Sequence, residues 1–147
     1  MTRINSAIPV QNLTDEHLLA EHREIKRLPA YLQKAIKSGS VNRIPNKFTL
    51  GKGHVTFFLD KMKFLRERYD RIYNELTVRH FNVTSYHSNF DNIEDKYSRQ
   101  YQPTDEEKLF LIERITDRIR NSNKTCWHYN GNKITKDEAI HLLVRGS

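Results

Sequence analysis

The stretch HLLAEHREIKRL, at residues 17–28, carries a carboxylate between two arginines. In a helix, successive side chains turn by about 100° around the axis, so Arg23 and Arg27 share one face. Glu24 and His17, which are seven residues apart, lie side by side at the edge of that face. A basic face suits an anionic ligand, and a carboxylate beside it can stabilise positive charge or accept a proton. Taken alone, however, a carboxylate flanked by arginines is the ordinary pattern of a surface salt bridge.

The start of the chain offers a second group that can react. It reads Met-Thr-Arg, and a methionine before a small residue is the usual substrate of methionine aminopeptidase. We therefore expect Met1 to be removed and the α-amine of Thr2 to be free.

Helices must position these groups, because the chain has only five glycines and four prolines and is rich in helix formers. Thr14 is a good N-cap for a first helix, in which Leu18, Ile25 and Leu32 recur on one stripe. Pro29 lies inside this pattern, so we expect the helix to kink near residues 26–28.

The longest periodic segment follows a loop rich in turn residues. Its apolar residues step by three and four from Val55 to Leu76, which predicts the longest helix. No period survives over residues 82–103, so we expect a long loop there. Aromatic side chains should hold this loop to the core: Tyr86, Phe90, Tyr97 and Tyr101.

Two capping boxes predict the remaining helices. Thr104 with Glu107 precedes a third helix, and Thr135 with Glu138 precedes a short terminal helix. The expected apolar stripe of the third helix is Leu109, Ile112, Ile115 and Ile119. We predict an all-α fold, a compact single-domain bundle of about three main helices with long loops and a short C-terminal helix, spanning residues 1–147.

The charge of the chain points to a polyanionic partner. It has 25 Lys and Arg against 18 Asp and Glu, a net charge of +7 and a pI near 9.6. Nucleic acid is the leading partner, and a membrane surface is the alternative. A mean hydropathy of −0.78 and the lack of a long apolar run argue against a spanning helix. The single cysteine, Cys126, and the scattered histidines give no zinc spacing. We expect a cytoplasmic monomer without metal or cofactor.

Three segments carry a resemblance to a known family. They are TRIN at residues 2–5, HLLAEHRE with Arg27 at residues 17–27, and GKGHVTFFLDKMKFLRER at residues 51–68. Together they resemble the pyrimidine-dimer DNA glycosylase family of T-even phages. The resemblance weakens after about residue 82 and returns roughly in the third helix and at WHYNG. Here the proline of the first helix follows the second arginine, whereas the family typically has it just before.

The resemblance implies an all-α enzyme that acts on double-stranded DNA at ultraviolet-induced cyclobutane pyrimidine dimers. It would act first as a glycosylase and then as a lyase at the abasic site. In this family the nucleophile is the α-amine of the processed terminal threonine, here Thr2, and the essential carboxylate is Glu24. The DNA-binding residues that the resemblance implies are Arg3, His17, Arg23, Arg27, Arg114 and Arg118.

The roles that the resemblance implies for Thr2 and Glu24 agree with the chemistry of these groups. An α-amine with a pKa of about 7.7 to 8.0 is partly neutral near pH 7, whereas a lysine at about 10.4 is almost fully protonated. Neighbouring arginines would lower the amine pKa further, and Glu24 would oppose that shift. A carboxylate beside the sugar also stabilises the oxocarbenium-like state through which a glycosidic bond breaks.

Two alternatives stay open at this point. The chain could act on another lesion or only on abasic sites, or it could be a basic DNA-binding protein without catalysis. The joint presence of Thr2, Arg23, Glu24 and Arg27 argues against the second. GKGHVT lacks the ending of a phosphate-binding P-loop, so we expect His54 to be a buried or capping histidine. Trp127 and Tyr129 should pack against the core rather than stack on DNA.

Overall fold

The structure, a computed structural model, describes residues 4–146. Its helices are α1 (Asp15–Ile25), α2 (Leu28–Ser38), α3 (His54–Phe57), α4 (Met62–Val78), α5 (Asp105–Asn121) and α6 (Lys136–Leu143). Two short strands, β1 (Trp127–Tyr129) and β2 (Asn132–Ile134), form an antiparallel hairpin. The fold is mostly α, as the sequence predicts. Within the described range, no helix is long and apolar enough to cross a bilayer.

The first predicted helix is divided into α1 and α2. Thr14 caps α1 by accepting a hydrogen bond from the backbone N–H of His17. Pro29 lies in the first turn of α2, where its missing N–H costs little. If α1 and α2 were one continuous helix, Pro29 could not donate a hydrogen bond to the carbonyl of Ile25, and its ring would clash with that carbonyl. The predicted kink at residues 26–28 is confirmed: α1 ends at Ile25 and α2 begins at Leu28, and Lys26 and Arg27 between them keep right-handed helical backbone angles.

The prediction of one continuous helix from Val55 to Leu76 is wrong. The chain leaves helical geometry after α3 and resumes it at α4. At the break, the N–H of Arg99 donates to Asp60 O at 3.3 Å, and the N–H of Phe64 donates to Arg99 O at 3.3 Å. A distant loop thus supplies the hydrogen bonds that a helix would otherwise make, which apolar spacing alone does not reveal.

The core lies where α1 packs along α4, and the N-terminal segment contributes apolar side chains to it. Ile4 and Ile8 are fully buried there. The long loop after α4 is held by aromatic residues as predicted, with Phe90 buried and the three tyrosines packed against the core. Both predicted capping boxes are present, before α5 and before α6.

The predicted apolar stripe of α5 is wrong at its first member. Leu109 is 66% exposed, and the side of α5 that packs into the core carries Leu111, Ile115 and Ile119. Leu111, Ile115 and Ile119 are spaced by four and share one face, whereas Leu109 is six residues before Ile115 and about 120° away around the axis.

The hairpin is a feature that the sequence analysis missed. Its turn is Asn130–Gly131, whose φ angles of 52° and 81° are both in the left-handed region. Asn-Gly is the preferred pair for a two-residue hairpin turn, so the signal was present in the sequence. The hairpin packs against α1, as described below.

Candidate active site

One pocket brings together most of the predicted site residues. It has a volume of about 380 Å³ and opens between α1, α2 and α5. Its lining consists of Asn5, His17, Ala20, Glu21, Arg23, Glu24, Arg27, Tyr31, Arg114, Ile115 and Arg118. The volume lies within the range of pockets that hold small-molecule ligands.

The first wall of the pocket carries the carboxylate that the sequence singles out. Glu24 Oε2 lies 3.4 Å from Arg27 Nη1, with 15% of the Glu24 side chain and 53% of the Arg27 side chain exposed. Arg23 is exposed on the adjacent turn. Because the Arg27 guanidinium is largely hydrated and the contact is long, this ion pair is weak. The guanidinium can therefore turn to another anion at little cost.

The second wall comes from α5. Arg114 and Arg118 are four residues apart and project from the same face of the helix. Burial lowers the pKa of Arg118 from its usual value, and repulsion by Arg114 adds to the effect. Nε of Arg114 is a buried donor that lacks a hydrogen-bond partner among residues 4–146. A buried guanidinium donor in this state is suited to an anionic ligand.

His17 lies between the two walls. Its Nδ1 is 2.8 Å from Thr14 Oγ1. Burial lowers the pKa of His17 to about 4, and Arg118 favours the neutral form further, whereas Glu16 and Glu21 oppose it. His17 is therefore neutral at physiological pH, and its ring can donate through one nitrogen only.

A buried ion pair fixes the floor of the pocket. Arg68 Nε lies 2.5 Å from Glu21 Oε2, and Nη2 lies 2.9 Å from Oε1. Glu21 also accepts a hydrogen bond from Nδ2 of Asn5 at 3.0 Å, and Arg68 donates to Ile8 O at 3.0 Å. The pair thus ties the N-terminal segment to α1 and α4, and it orients Asn5 toward the pocket.

His54 anchors the residue before Asn5. Its Nδ1 lies 2.8 Å from Thr49 O, and its Nε2 lies 3.2 Å from the backbone N and 3.0 Å from the O of Ile4. Burial lowers the pKa of His54, which favours the neutral ring. The prediction of a satisfied buried histidine is confirmed.

Most of the predicted site residues lie in this one pocket. The structure brings six of them together: His17, Arg23, Glu24, Arg27, Arg114 and Arg118. Thr2 and Arg3 lie outside the described residues. Of the two aromatic residues expected to pack, Trp127 is buried.

Sequence reasoning missed three polar residues of the pocket, which are Glu21, Tyr31 and Asn5. Tyr31 lies four residues after Arg27 and hence on the same helical face, so the spacing was visible in the sequence. Asn5 had no such signal, because it enters the pocket through its contact with Glu21.

Comparison with known families gives a match over the first part of the chain. The model of the family described as pyrimidine dimer DNA glycosylase matches residues 1–89. The matched region includes α1 to α4 and the first wall of the pocket. The second wall, with Arg114 and Arg118, and the hairpin lie beyond it.

Proposed function

The chain belongs to the pyrimidine dimer DNA glycosylase family, and from this premise we propose that it also cleaves the DNA strand as an abasic-site lyase. The nucleophile is the α-amine of Thr2, exposed when Met1 is removed. The carboxylate of Glu24 acts as electrostatic stabiliser and proton acceptor. The observation that carries the proposal is a single pocket that joins Glu24, arginines from two walls, and Asn5 of the N-terminal segment.

Covalent geometry supports the choice of Thr2. Three peptide units separate its Cα from that of Asn5, and consecutive Cα atoms are about 3.8 Å apart. The amine of Thr2 is therefore within about 12 Å of the Asn5 Cα. Ile4 and Asn5 are both held by hydrogen bonds, so the chain between Asn5 and the amine is short and keeps the amine near the pocket.

The chemistry proceeds by attack of the amine on the sugar. The nitrogen lone pair forms a bond to C1′ as the glycosidic bond breaks, and the leaving pyrimidine takes the electron pair of the glycosidic bond. Opening of the sugar ring then gives an imine between the amine and C1′, with O4′ taking a proton. The imine acidifies the C2′–H bond, so loss of that proton breaks the C3′–O3′ bond and releases the 3′ phosphate. Water hydrolyses the imine and frees the amine.

The charges around the pocket suit these steps. Arginines near the amine lower its pKa, which raises its neutral fraction near pH 7. Glu24 stabilises the positive charge that develops on the sugar. Its weak pair with Arg27 leaves the guanidinium available to a phosphate, so both groups act without a large rearrangement.

DNA binding is assigned to the arginines of both walls together with Arg3 and His17. Arg23 and Arg27 on one side, and Arg114 and Arg118 on the other, can hold phosphates that flank a distorted site. The buried Nε of Arg114 gains a partner when a phosphate binds. A pyrimidine dimer is poorly stacked, so opening the duplex at the lesion costs less than at normal DNA.

Borohydride trapping tests the proposal. Purified protein is mixed with duplexes that contain either one thymine dimer or one abasic site, and covalent adducts are counted. The proposal expects adducts with both. Adducts with the abasic site alone would indicate a lyase without dimer glycosylase activity, and no adducts would leave only DNA binding.

A blocked N-terminus identifies the nucleophile. An uncleaved tag before Thr2 should abolish trapping while salt-dependent DNA binding persists. The matched control carries the same tag with a protease site that leaves Thr2 first after cleavage. Trapping by the blocked protein would show that an internal lysine is the nucleophile and would refute the assignment of Thr2.

A further inference from the structure

The C-terminal hairpin holds three consecutive residues at the start of α1. The first is Asp15, whose carboxylate accepts hydrogen bonds from the N–H groups of Asn130 and Gly131 at 2.9 Å and 2.8 Å. The hairpin turn is thereby fixed to the N-terminus of the helix that carries the candidate active site.

The second residue is Glu16. It accepts a hydrogen bond from the N–H of His128 at 2.9 Å, and its other oxygen lies 2.7 Å from His128 Nδ1. Lys124 Nζ lies 3.3 Å from the same carboxylate. Although burial opposes the effect, these hydrogen bonds lower the pKa of Glu16 below its usual value.

The third residue, His17, lines the pocket. Trp127 stacks on its ring with centroids 5.0 Å apart and planes 10° from parallel. Thr14 holds the Nδ1 edge at 2.8 Å. A ring fixed on one face and at one edge cannot rotate without losing both contacts.

These contacts also favour one tautomer. Thr14 Oγ1 already accepts a hydrogen bond from the backbone N–H of His17 at 3.2 Å. Among residues 4–146, Nδ1 of His17 at 2.8 Å is the acceptor within reach of the buried Thr14 hydroxyl proton, and donation to it leaves the ring proton on Nε2. Nε2 has no hydrogen-bond partner within residues 4–146, so it is available to a ligand in the pocket.

We propose that Trp127 is a positioning residue, which holds the ring of His17 against Thr14 so that Nε2–H donates to an oxygen of the DNA backbone. This inference rests on the proposed function, because it takes DNA as the ligand of the pocket. It also gives the hairpin, which lies outside the family match at residues 1–89, a role in the site.

The charged groups around His17 agree with this role. Glu16 and Glu21 favour its protonation, Arg118 disfavours it, and burial outweighs all three. Lys124 Nζ lies 5.6 Å from the centroid of the Trp127 ring and 3.3 Å from Glu16 Oε2. Removing the indole would hydrate the His17 ring and raise its pKa toward the ordinary value.

The first test follows His17 by NMR in the protein without DNA. Histidine ¹⁵N shifts report tautomer and pKa, and a His17→Asn variant identifies the resonances. Trp127→Leu should raise the pKa of His17 by about one unit or more and mix the two tautomers. Trp127→Phe, which keeps a flat ring, should lie between this variant and the parent. Tyr129→Phe is the matched control, because it removes a hydrogen bond to Gln11 from the same hairpin but leaves the stack intact.

The second test is a double-mutant cycle on DNA affinity. The probe is a duplex with a tetrahydrofuran abasic site, which cannot be cleaved. Trp127→Leu should weaken binding by about tenfold in the parent protein, since it disturbs a hydrogen bond to a charged group. In the His17→Asn background the same substitution should cost less than about twofold.

Equal losses in both backgrounds would overturn the inference, as would an unchanged tautomer and pKa of His17 in Trp127→Leu. If Trp127→Leu does not fold, Trp127→Phe in the same cycle decides the question on a smaller effect. Neither measurement requires catalysis. Failure of borohydride trapping would therefore refute the proposed lyase activity without affecting these results.

Discussion

Two carboxylates on α1, three residues apart, meet arginines in opposite surroundings. The Glu21 side chain is fully buried and makes two short contacts with Arg68, whose side chain is 4% exposed. Glu24 Oε2 lies 3.4 Å from Arg27 Nη1, and the Arg27 side chain is 53% exposed. The residue types are the same, and only the depth of burial differs.

Burial gives each pair a different task. Charges removed from water must be matched by further hydrogen bonds, and Asn5 and the Ile8 carbonyl supply them around Glu21 and Arg68. That pair is therefore a scaffold for the N-terminal segment. The Arg27 side chain is 53% exposed, so a ligand can break its ion pair with Glu24 at low cost. We therefore expect Glu24 and Arg27, and not Glu21 and Arg68, to contact the DNA.

The largest expected effect is on the buried pair. Glu21→Gln leaves the Arg68 charge buried without its partner, which should cost about 3 to 5 kcal/mol of stability. For a chain of this size, the melting temperature should fall by roughly 10 °C or more. Thermal unfolding followed by circular dichroism measures the change. A melting temperature close to that of the parent would contradict the scaffold role of Glu21.

The matched substitution in the pocket should affect activity instead. Glu24→Gln should lower the rate of dimer cleavage by about 10² to 10³-fold, because it removes the charge that stabilises the oxocarbenium-like state. Some imine formation at a preformed abasic site should persist. Single-turnover cleavage of a dimer-containing duplex gives the rate. A variant that unfolds at the temperature of Glu21→Gln would show that the two pairs are not distinct.

The pH dependence of stability should reveal that His17 is neutral in the folded protein. The pKa of His17 is about 4 in the folded protein against an ordinary value of 6.5. The unfolded chain therefore binds the proton more tightly, so stability is lost as the pH falls from about 6.5 to 4. The loss is on the order of 3 kcal/mol. His17→Asn should flatten this part of the curve, measured by urea unfolding at several pH values. An unchanged slope would contradict a neutral, buried His17.

Tyr31 tests whether the pocket that contains Glu24 and Arg27 binds DNA. It lies one turn after Arg27 and lines the same pocket. Stacking of a base on an aromatic ring is worth about 1 to 3 kcal/mol, so Tyr31→Leu should weaken binding of a dimer-containing duplex by about fivefold or more. Tyr31→Phe should bind like the parent in a fluorescence-anisotropy titration. Equal affinity for all three proteins would exclude stacking on Tyr31.

The smallest change should come from Arg27. Arg27→Ala should alter stability by less than about 1 kcal/mol, since its ion pair is exposed. The slope of log K against log salt concentration should nevertheless fall by about 0.9, which corresponds to one lost phosphate contact. Affinity titrations at several salt concentrations give the slope. Arg43→Ala, on an exposed residue outside the pocket, is the control and should leave it unchanged.

The sequence by itself determined much of the helical architecture. The capping boxes before α5 and α6 and the Thr14 cap of α1 act within one turn, so local chemistry specifies them. Proline geometry is equally local, and it decided the break before α2. The face shared by Arg23, Glu24 and Arg27 also follows from helical spacing alone.

Only the tertiary structure decided which charges are buried and which elements meet. Helical spacing places Glu21 on the stripe of Leu18 and Ile25, but the charge that pairs with it comes from Arg68, 47 residues away. The break before α4 depends on hydrogen bonds from Arg99, and the setting of His17 depends on Trp127. Helix signals act over one or two turns, whereas desolvation depends on every segment packed around a group. The burial that makes one carboxylate structural and leaves the other open to a ligand is therefore a property of the folded chain.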